Sequence, residues 1–149
     1  MADLASRLRS LLAMHEGRGI RVPLGGQSFD VVVSAAGPTG RAAVAVMDET
    51  QLGTCGPVIE DPEASWLYWL VPPGTTQQWA PHPYGVCFGA PHTIALPPLA
   101  RIEPPGAYWF RECRSDRLVP ARPLWDLLNQ FRPGPTPHAG VAALLPPSF

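Results

Sequence analysis

Apolar residues recur every three or four positions in three segments of the chain, the spacing of one face of an α-helix. These segments are residues 3–16, 41–50 and 123–131. Asp3 is a candidate N-cap of the first segment, and Pro123 suits the first turn of the third, where its missing N–H has no hydrogen bond to lose. The pattern therefore predicts three helices, two of them at opposite ends of the chain.

Short runs of β-branched, aromatic and other apolar residues separate these helices. The runs cover residues 29–33, 57–59, 66–71, 85–88, 92–96 and 107–111. Residues 66–71 are six consecutive apolar residues ended by Pro72, Pro73 and Gly74, which favours a buried strand. The intervals in the second half are too short for crossover helices, so the strands are expected to pair antiparallel. The sequence predicts an α+β fold in which a mainly antiparallel β-sheet is flanked by N-terminal and C-terminal helices.

The length of 149 residues is that of one domain. We expect this domain to span residues 1–132 and a proline-rich tail to span residues 133–149. Repeated prolines and the lack of a sustained period predict that the tail is an extended arm and not a packed element. Its residues 141–145 are nevertheless apolar enough to dock on some surface.

Net charge is −1 and all 11 basic residues are arginine, a usage typical of a GC-rich bacterial genome. Such a chain has no overall field that would attract nucleic acid or an anionic membrane. No apolar run approaches the roughly 20 residues that cross a bilayer, and the first ten residues lack the apolar centre of a signal peptide. We therefore expect a cytoplasmic protein without a membrane partner.

Three cysteines, Cys55, Cys87 and Cys113, stand far apart and form no CxxC pair. In a reducing cytoplasm they are expected to be free thiols. A zinc site that combines them with His82 and His92 is the less favoured alternative, because structural zinc ligands normally come in pairs two to four residues apart. No metal and no cofactor are predicted.

Aromatic residues are dense for a chain of this size. One set of five consists of Trp66, Tyr68, Trp69, Trp79 and Trp109. Alternation along a strand would place Trp66 and Tyr68 on one face and Trp69 on the other. Core packing is the preferred interpretation, and stacking on a base or on a partner's side chain is the alternative.

Arginines are concentrated in the last third of the chain. The five between residues 101 and 122 are Arg101, Arg111, Arg114, Arg117 and Arg122. Acidic residues are interspersed among them, so ion pairing on a solvated face is favoured over a phosphate-binding patch. The chain has no GxSxG motif and, without lysine, no phosphate loop of the Walker type.

From residue 29 onward, the order of elements resembles the N-terminal domain of bifunctional DNA primase-polymerases, in a degenerate form of a GC-rich actinobacterial type. The likeness rests on residues 66–72, 85–86, 93–98, 106–109 and 124–128, which resemble the family's proline-terminated strands, aromatic strand and closing helix. These segments extend over about two thirds of the chain. The matching residues are mainly apolar residues and prolines, which shape a fold. The resemblance implies a primase-polymerase-like fold with a role related to DNA replication.

Polymerisation in that family is two-metal chemistry, in which paired carboxylates hold the cations. In this sequence Asp30 matches one acid, whereas Val32 stands at the position of the second. Trp66 takes the place of the family's strand histidine, and Cys87 the place of a further acid. The adjacent Asp48 and Glu49 would diverge in either a helix or a strand. The resemblance therefore implies a domain without catalytic residues.

We expect a non-catalytic primase-polymerase-like domain that acts by binding, in a regulatory or protein-interaction role. A protein partner is favoured, and a nucleotide or nucleic acid is the other ligand class. The candidate ligand-binding or partner-binding residues are Asp30, Trp66, Tyr68, Trp79, Cys87, His92, Arg101, Trp109 and Arg111. The alternative is an active metal-dependent nucleotidyltransferase that uses Asp48, Glu60 or Asp61.

Overall fold

The computed structural model describes residues 10, 19–26, 28–51, 55–112 and 118–147. Its strands are β1 (Ile20–Pro23), β2 (Asp30–Ala35), β3 (Val58–Asp61), β4 (Trp66–Val71), β5 (Val86–Phe88), β6 (Thr93–Leu96) and β7 (Tyr108–Arg111). Its helices are α1 (Gly37–Thr50), α2 (Thr75–Gln78), α3 (Ala121–Phe131) and α4 (His138–Ala142). The helix predicted for residues 3–16 lies outside the described residues, apart from Ser10.

Five strands form a central sheet in the order β5-β2-β4-β3-β7, and β1 pairs with β6 in a separate two-stranded sheet. Every strand pairing among the described residues is antiparallel. The predicted α+β class with mainly antiparallel pairing is therefore confirmed.

The strand β4 lies in the middle of the central sheet and contributes to both faces. Tyr68 and Leu70 point into one apolar core, and Leu67, Trp69 and Val71 into the other. This alternation follows from the period of two along a strand, as the sequence predicted. The indole of Trp69 donates a hydrogen bond to the hydroxyl of Ser34 at 2.8 Å, which satisfies both buried polar groups.

Helices α1 and α3 cover one face of the central sheet. Met47 of α1 and Leu124 and Leu128 of α3 are buried against the strands. Pro38 occupies the first turn of α1, and Pro123 the first turn of α3, where proline is tolerated. Burial of these apolar faces, more than helix propensity, holds the two helices in place.

The other face is covered by the small β1–β6 sheet and by the C-terminal segment. Val141 and Leu145 are buried in this core, and Pro146 O accepts a hydrogen bond from the Thr93 backbone N–H at 2.9 Å. The expectation of an extended arm is wrong for residues 133–147, because these residues include α4 and pack against β6. The expected docking of residues 141–145 is confirmed.

Within the described part of the chain, no helix has both the length and the apolar character required to cross a membrane.

Candidate functional site

Asp30, the one acid at a position expected for a metal ligand, lies at the start of β2 and is only 1% exposed. Its Oδ2 accepts hydrogen bonds from the backbone N–H of Thr76 at 2.9 Å and from the Thr76 hydroxyl at 2.7 Å. Its Oδ1 is buried and has no hydrogen-bond partner among the described residues. The carboxylate is thus enclosed by the protein and bonded to α2.

The chain path explains why Thr76 reaches Asp30. Asp30 pairs with Val71 at the end of β4, so the turn that follows Val71 passes directly over the start of β2. Gly74 adopts φ +89° in this turn, a conformation that glycine tolerates best. The turn therefore delivers the first residues of α2 onto the Asp30 carboxylate.

Gly89, the residue after β5, also lies against the Asp30 carboxylate. A Cβ atom at this position would lie 2.6 Å from Thr76 Oγ1 and 3.0 Å from Asp30 Oδ1. Since contacts this short require atoms to move, the pocket around Asp30 depends on the missing side chain of Gly89.

Cys87 lies beside Asp30 on β5, with its Sγ 3.6 Å from Thr76 Oγ1. Burial raises the pKa of the Cys87 thiol to about 12. The thiol is therefore protonated at neutral pH, and the thiol form is a poor metal ligand. Val32, two residues after Asp30, is fully buried in the apolar core.

Glu60 belongs to a separate network on β3. Its carboxylate accepts hydrogen bonds from Arg41 at 2.7 and 3.3 Å and from the Tyr108 hydroxyl at 2.5 Å. Burial alone would raise the pKa of Glu60, but these hydrogen bonds and the charge of Arg41 outweigh it and lower the pKa. Glu60 is an ionised acid that is already neutralised inside the protein.

Asp48 and Asp61, the other acids that the alternative nucleotidyltransferase would use, also have partners. Asp48 forms an ion pair with Arg111 at 2.7 Å and accepts the backbone N–H of Cys55 at 2.9 Å. Asp61 accepts backbone N–H groups of the turn that follows β3. Among the described residues, no three His, Cys, Asp or Glu side chains come together as a potential metal site.

An aromatic groove of about 340 Å³ lies between α2 and α3. We define it by its lining residues, which are Thr75, Gln78, Trp79, Ala80, Ala121, Arg122 and Trp125. The indole N–H of Trp79 donates to Gly85 O, and that of Trp125 donates to Ala80 O, each at 3.1 Å. Both indoles are therefore held by the protein, and they offer the groove their apolar ring surfaces.

The His82 ring packs near both indoles that line the groove. Its ring centroid lies 4.8 Å from that of Trp125 and 6.2 Å from that of Trp79. Its Nδ1 accepts the backbone N–H of Tyr84 at 3.0 Å. Because a backbone N–H can only donate, Nδ1 carries no proton, and Nε2–H donates to Trp125 O at 3.1 Å. Burial lowers the pKa of His82, which favours this neutral tautomer.

A second cavity of about 300 Å³ shares Trp79 with the aromatic groove. Its lining includes Thr76 and Cys87, which lie next to Asp30, and Thr136 and His138 from the C-terminal segment. Thr76 and Cys87 line this second cavity and not the aromatic groove.

The remaining residues proposed from the sequence do not line the aromatic groove. Tyr68 and Trp109 are buried in the core, and the Trp109 indole donates to Pro97 O at 2.9 Å. Trp66 is half-buried at the start of β4. His92 Nδ1 lies 2.7 Å from Leu145 O and helps to hold the C-terminal segment. Of the nine proposed residues, the structure places Cys87 and Trp79 near Asp30, and it packs Tyr68 and Trp109 into one core.

The predicted cluster of arginines does not form a patch among the described residues. Arg111 is paired with Asp48, and Arg122 lies 3.4 Å from Asp126 on the same helix. Arg101 is exposed in a loop next to Ile102. Arg114 and Arg117 lie outside the described residues. The preferred interpretation, pairing on a solvated face, agrees with the first two positions.

Sequence reasoning did not select Trp125 or His82 as site residues. A signal for Trp125 exists, because it is a large apolar residue that departs from the buried stripe of α3 formed by Leu124, Leu127 and Leu128. His82 has no such signal, since its role depends on Tyr84 and Trp125 meeting in space.

Comparison with family models, with curated proteins and with solved structures finds no match to this chain.

Proposed function

We propose that this chain is a non-catalytic relative of the bifunctional primase-polymerases and that it acts by binding a protein partner. The observation that carries the proposal is the enclosure of Asp30. A carboxylate that holds a catalytic cation must face the substrate, whereas the Oδ2 of Asp30 is occupied by two hydrogen bonds from Thr76. A primase-polymerase-like arrangement of the α+β elements is part of this proposal.

The surroundings of Asp30 support the loss of metal chemistry. Hard cations prefer several oxygen ligands, and carboxylates are the strongest of them in proteins. Val32 and Cys87 contribute an apolar side chain and a protonated thiol instead. Two of the acids named in the alternative, Asp48 and Glu60, are neutralised by arginines.

A protein partner is favoured over nucleic acid because of the charges around the aromatic groove. Binding to a phosphate backbone requires several free basic residues on one surface. Among the residues that the structure describes, Arg122 is the only charged one in the lining of the groove, and Asp126 stands beside it. Tryptophan and arginine are, in contrast, the residue types that contribute most to protein interfaces.

The alternative is an active nucleotidyltransferase in which Asp48, Glu60 or Asp61 supplies the missing acids. It requires the Arg111–Asp48 and Arg41–Glu60 ion pairs to open when metal and nucleotide bind. Each pair includes a partly exposed arginine that could move away from its acid. The alternative therefore predicts activity that depends on metal.

Site-specific photo-crosslinking in the native cells tests the proposal. A photo-reactive amino acid placed at the exposed Gln78 is expected to crosslink to a discrete protein, and the same group at the exposed Glu49 on α1 is not. The adduct should disappear when Ala80→Leu fills the groove. Saturable binding of nucleoside triphosphates or single-stranded DNA at low salt, without any protein adduct, would contradict the proposal.

A further inference from the structure

The aromatic groove presents a combination of groups that selects among protein segments. Its walls are two indoles whose N–H groups are already bonded to backbone carbonyls, so the walls accept apolar, flat groups. Because the indoles are fixed before binding, little side-chain entropy is lost when a ligand packs on them. The small side chains of Ala80 and Ala121 leave the space between the walls open.

Hydrogen-bond donors stand at the rim of the groove. Gln78 exposes an amide, and the Arg122 side chain is 86% exposed. The contact of Arg122 with Asp126 joins two exposed side chains at 3.4 Å, and pairs of this kind contribute little to stability. A carboxylate on a ligand can therefore replace Asp126 as the partner of Arg122.

We propose that the groove binds an acidic, proline-containing segment of the partner protein, an inference that rests on the proposed function. A proline ring is compact and apolar, and it packs well on an indole face. Proline lacks an N–H group, so the backbone around it presents carbonyl acceptors to the donors of Gln78 and Arg122. An Asp or Glu next to the proline complements the single charge in the lining.

This groove is distinct from the pocket of Asp30. Asp30 is not among the residues that line the groove, and Trp79 lines both the groove and the second cavity, whose lining includes Thr76 and Cys87. The proposed ligand therefore needs neither a cation nor the Asp30 carboxylate.

A titration with a synthetic peptide tests the inference on the full chain. The probe is the blocked peptide Gly-Ser-Glu-Pro-Pro-Glu-Pro-Ser-Gly, followed by calorimetry and by the indole N–H signals in ¹H–¹⁵N spectra. Saturable binding that shifts the signals of Trp79 and Trp125 is expected. Replacing every proline of the peptide by alanine should weaken binding at least about tenfold.

Two variants separate binding from folding. Ala80→Leu fills the groove from an exposed position and should weaken binding at least about tenfold, whereas Ala42→Leu at an exposed position of α1 should leave it unchanged. Arg122→Glu should weaken binding of the acidic peptide and improve binding of its lysine-containing counterpart. This reversal requires direct contact of charges and cannot result from lost stability.

Several results would overturn the inference. They are equal binding of the alanine peptide, binding that Ala80→Leu does not affect, and displacement of the peptide by single-stranded DNA. Self-association that Ala80→Leu abolishes would also overturn it, since the exposed loop of Glu103, Pro104 and Pro105 would then make a second copy the occupant. A crosslink at Gln78 without peptide binding would refute this ligand class and leave the proposed function intact.

Discussion

The Nε2–H of His82 donates a hydrogen bond to the backbone carbonyl of Trp125 at 3.1 Å. This bond connects the segment after α2 with helix α3 across 43 residues of sequence. Nδ1 of the same ring accepts the backbone N–H of Tyr84, so the contact requires a neutral imidazole. The geometry of the aromatic groove thus depends on the protonation state of one buried histidine.

Stability is expected to fall at mildly acidic pH because of His82. Its pKa is lowered in the folded protein by burial, whereas in the unfolded chain it is near the ordinary value of about 6.5. The unfolded chain therefore binds more protons between the two pKa values. The contribution of His82 is fully present above about pH 6.5 and is lost as the pH falls through the folded pKa.

Urea unfolding at a series of pH values between 5 and 8 measures this dependence. His82→Gln keeps hydrogen-bonding atoms on the side chain but does not titrate, so the variant should lose less stability between pH 7.5 and 5 than the original chain. Equal losses in the two proteins would mean that His82 is not the responsible group.

The hydroxyl of Thr76 is expected to stabilise the fold through Asp30. Thr76→Val removes one of the two hydrogen bonds to the buried Oδ2 and should lower the free energy of unfolding by about 1–3 kcal/mol. Thr76→Ser retains the hydroxyl and should cost clearly less. Chemical denaturation of both variants measures the difference, and identical values would show that the bond contributes nothing.

Gly89 should be intolerant of a side chain. Gly89→Ala places a methyl group against Thr76 and Asp30, and overpacking of this kind costs about 1–3 kcal/mol. The matched substitution Gly140→Ala lies in α4, where the new Cβ has only an ordinary contact with Pro137. That variant should be neutral or slightly stabilised, because alanine favours helices. Thermal unfolding of the pair measures this contrast, and an equal effect at both positions would contradict it.

Tyr108 is expected to stabilise the ionised Glu60. Tyr108→Phe removes a hydrogen bond to a buried carboxylate and should cost about 1.5–3 kcal/mol at neutral pH. Tyr84→Phe is the control, since the Tyr84 hydroxyl makes no hydrogen bond to any described residue. Denaturant unfolding compares the two, and a cost at Tyr108 no larger than at Tyr84 would refute the role of the network.

Much of the sheet could be predicted because its strands carry strong local signals. Residues 66–71 were predicted as β4 with the bounds that the structure has, since six apolar residues end at two prolines and a glycine. β1 was missed, because Ile20–Pro23 is short, contains proline, and gains its stability by pairing with β6 about 70 residues later. The pattern of neighbouring residues in the sequence does not indicate pairing between strands that lie so far apart along the chain.

The candidate site was less predictable, because its contacts join distant segments. Asp30 was selected by resemblance, but its partner Thr76 is 46 residues away in a helix of four residues without apolar periodicity. The C-terminal segment was also misjudged, since its prolines suggested an arm whereas Val141 and Leu145 find an apolar surface on the sheet. Proline content limits helix and strand length without preventing burial.

A primer-extension assay tests the central claim, the absence of metal-dependent catalysis, most directly. The protein is incubated with Mn²⁺, a primed template and labelled nucleoside triphosphates, beside Asp30→Ala and Glu60→Gln variants. We predict no incorporation above the level that the two variants give. Metal-dependent incorporation by the original chain that either substitution abolishes would contradict the account.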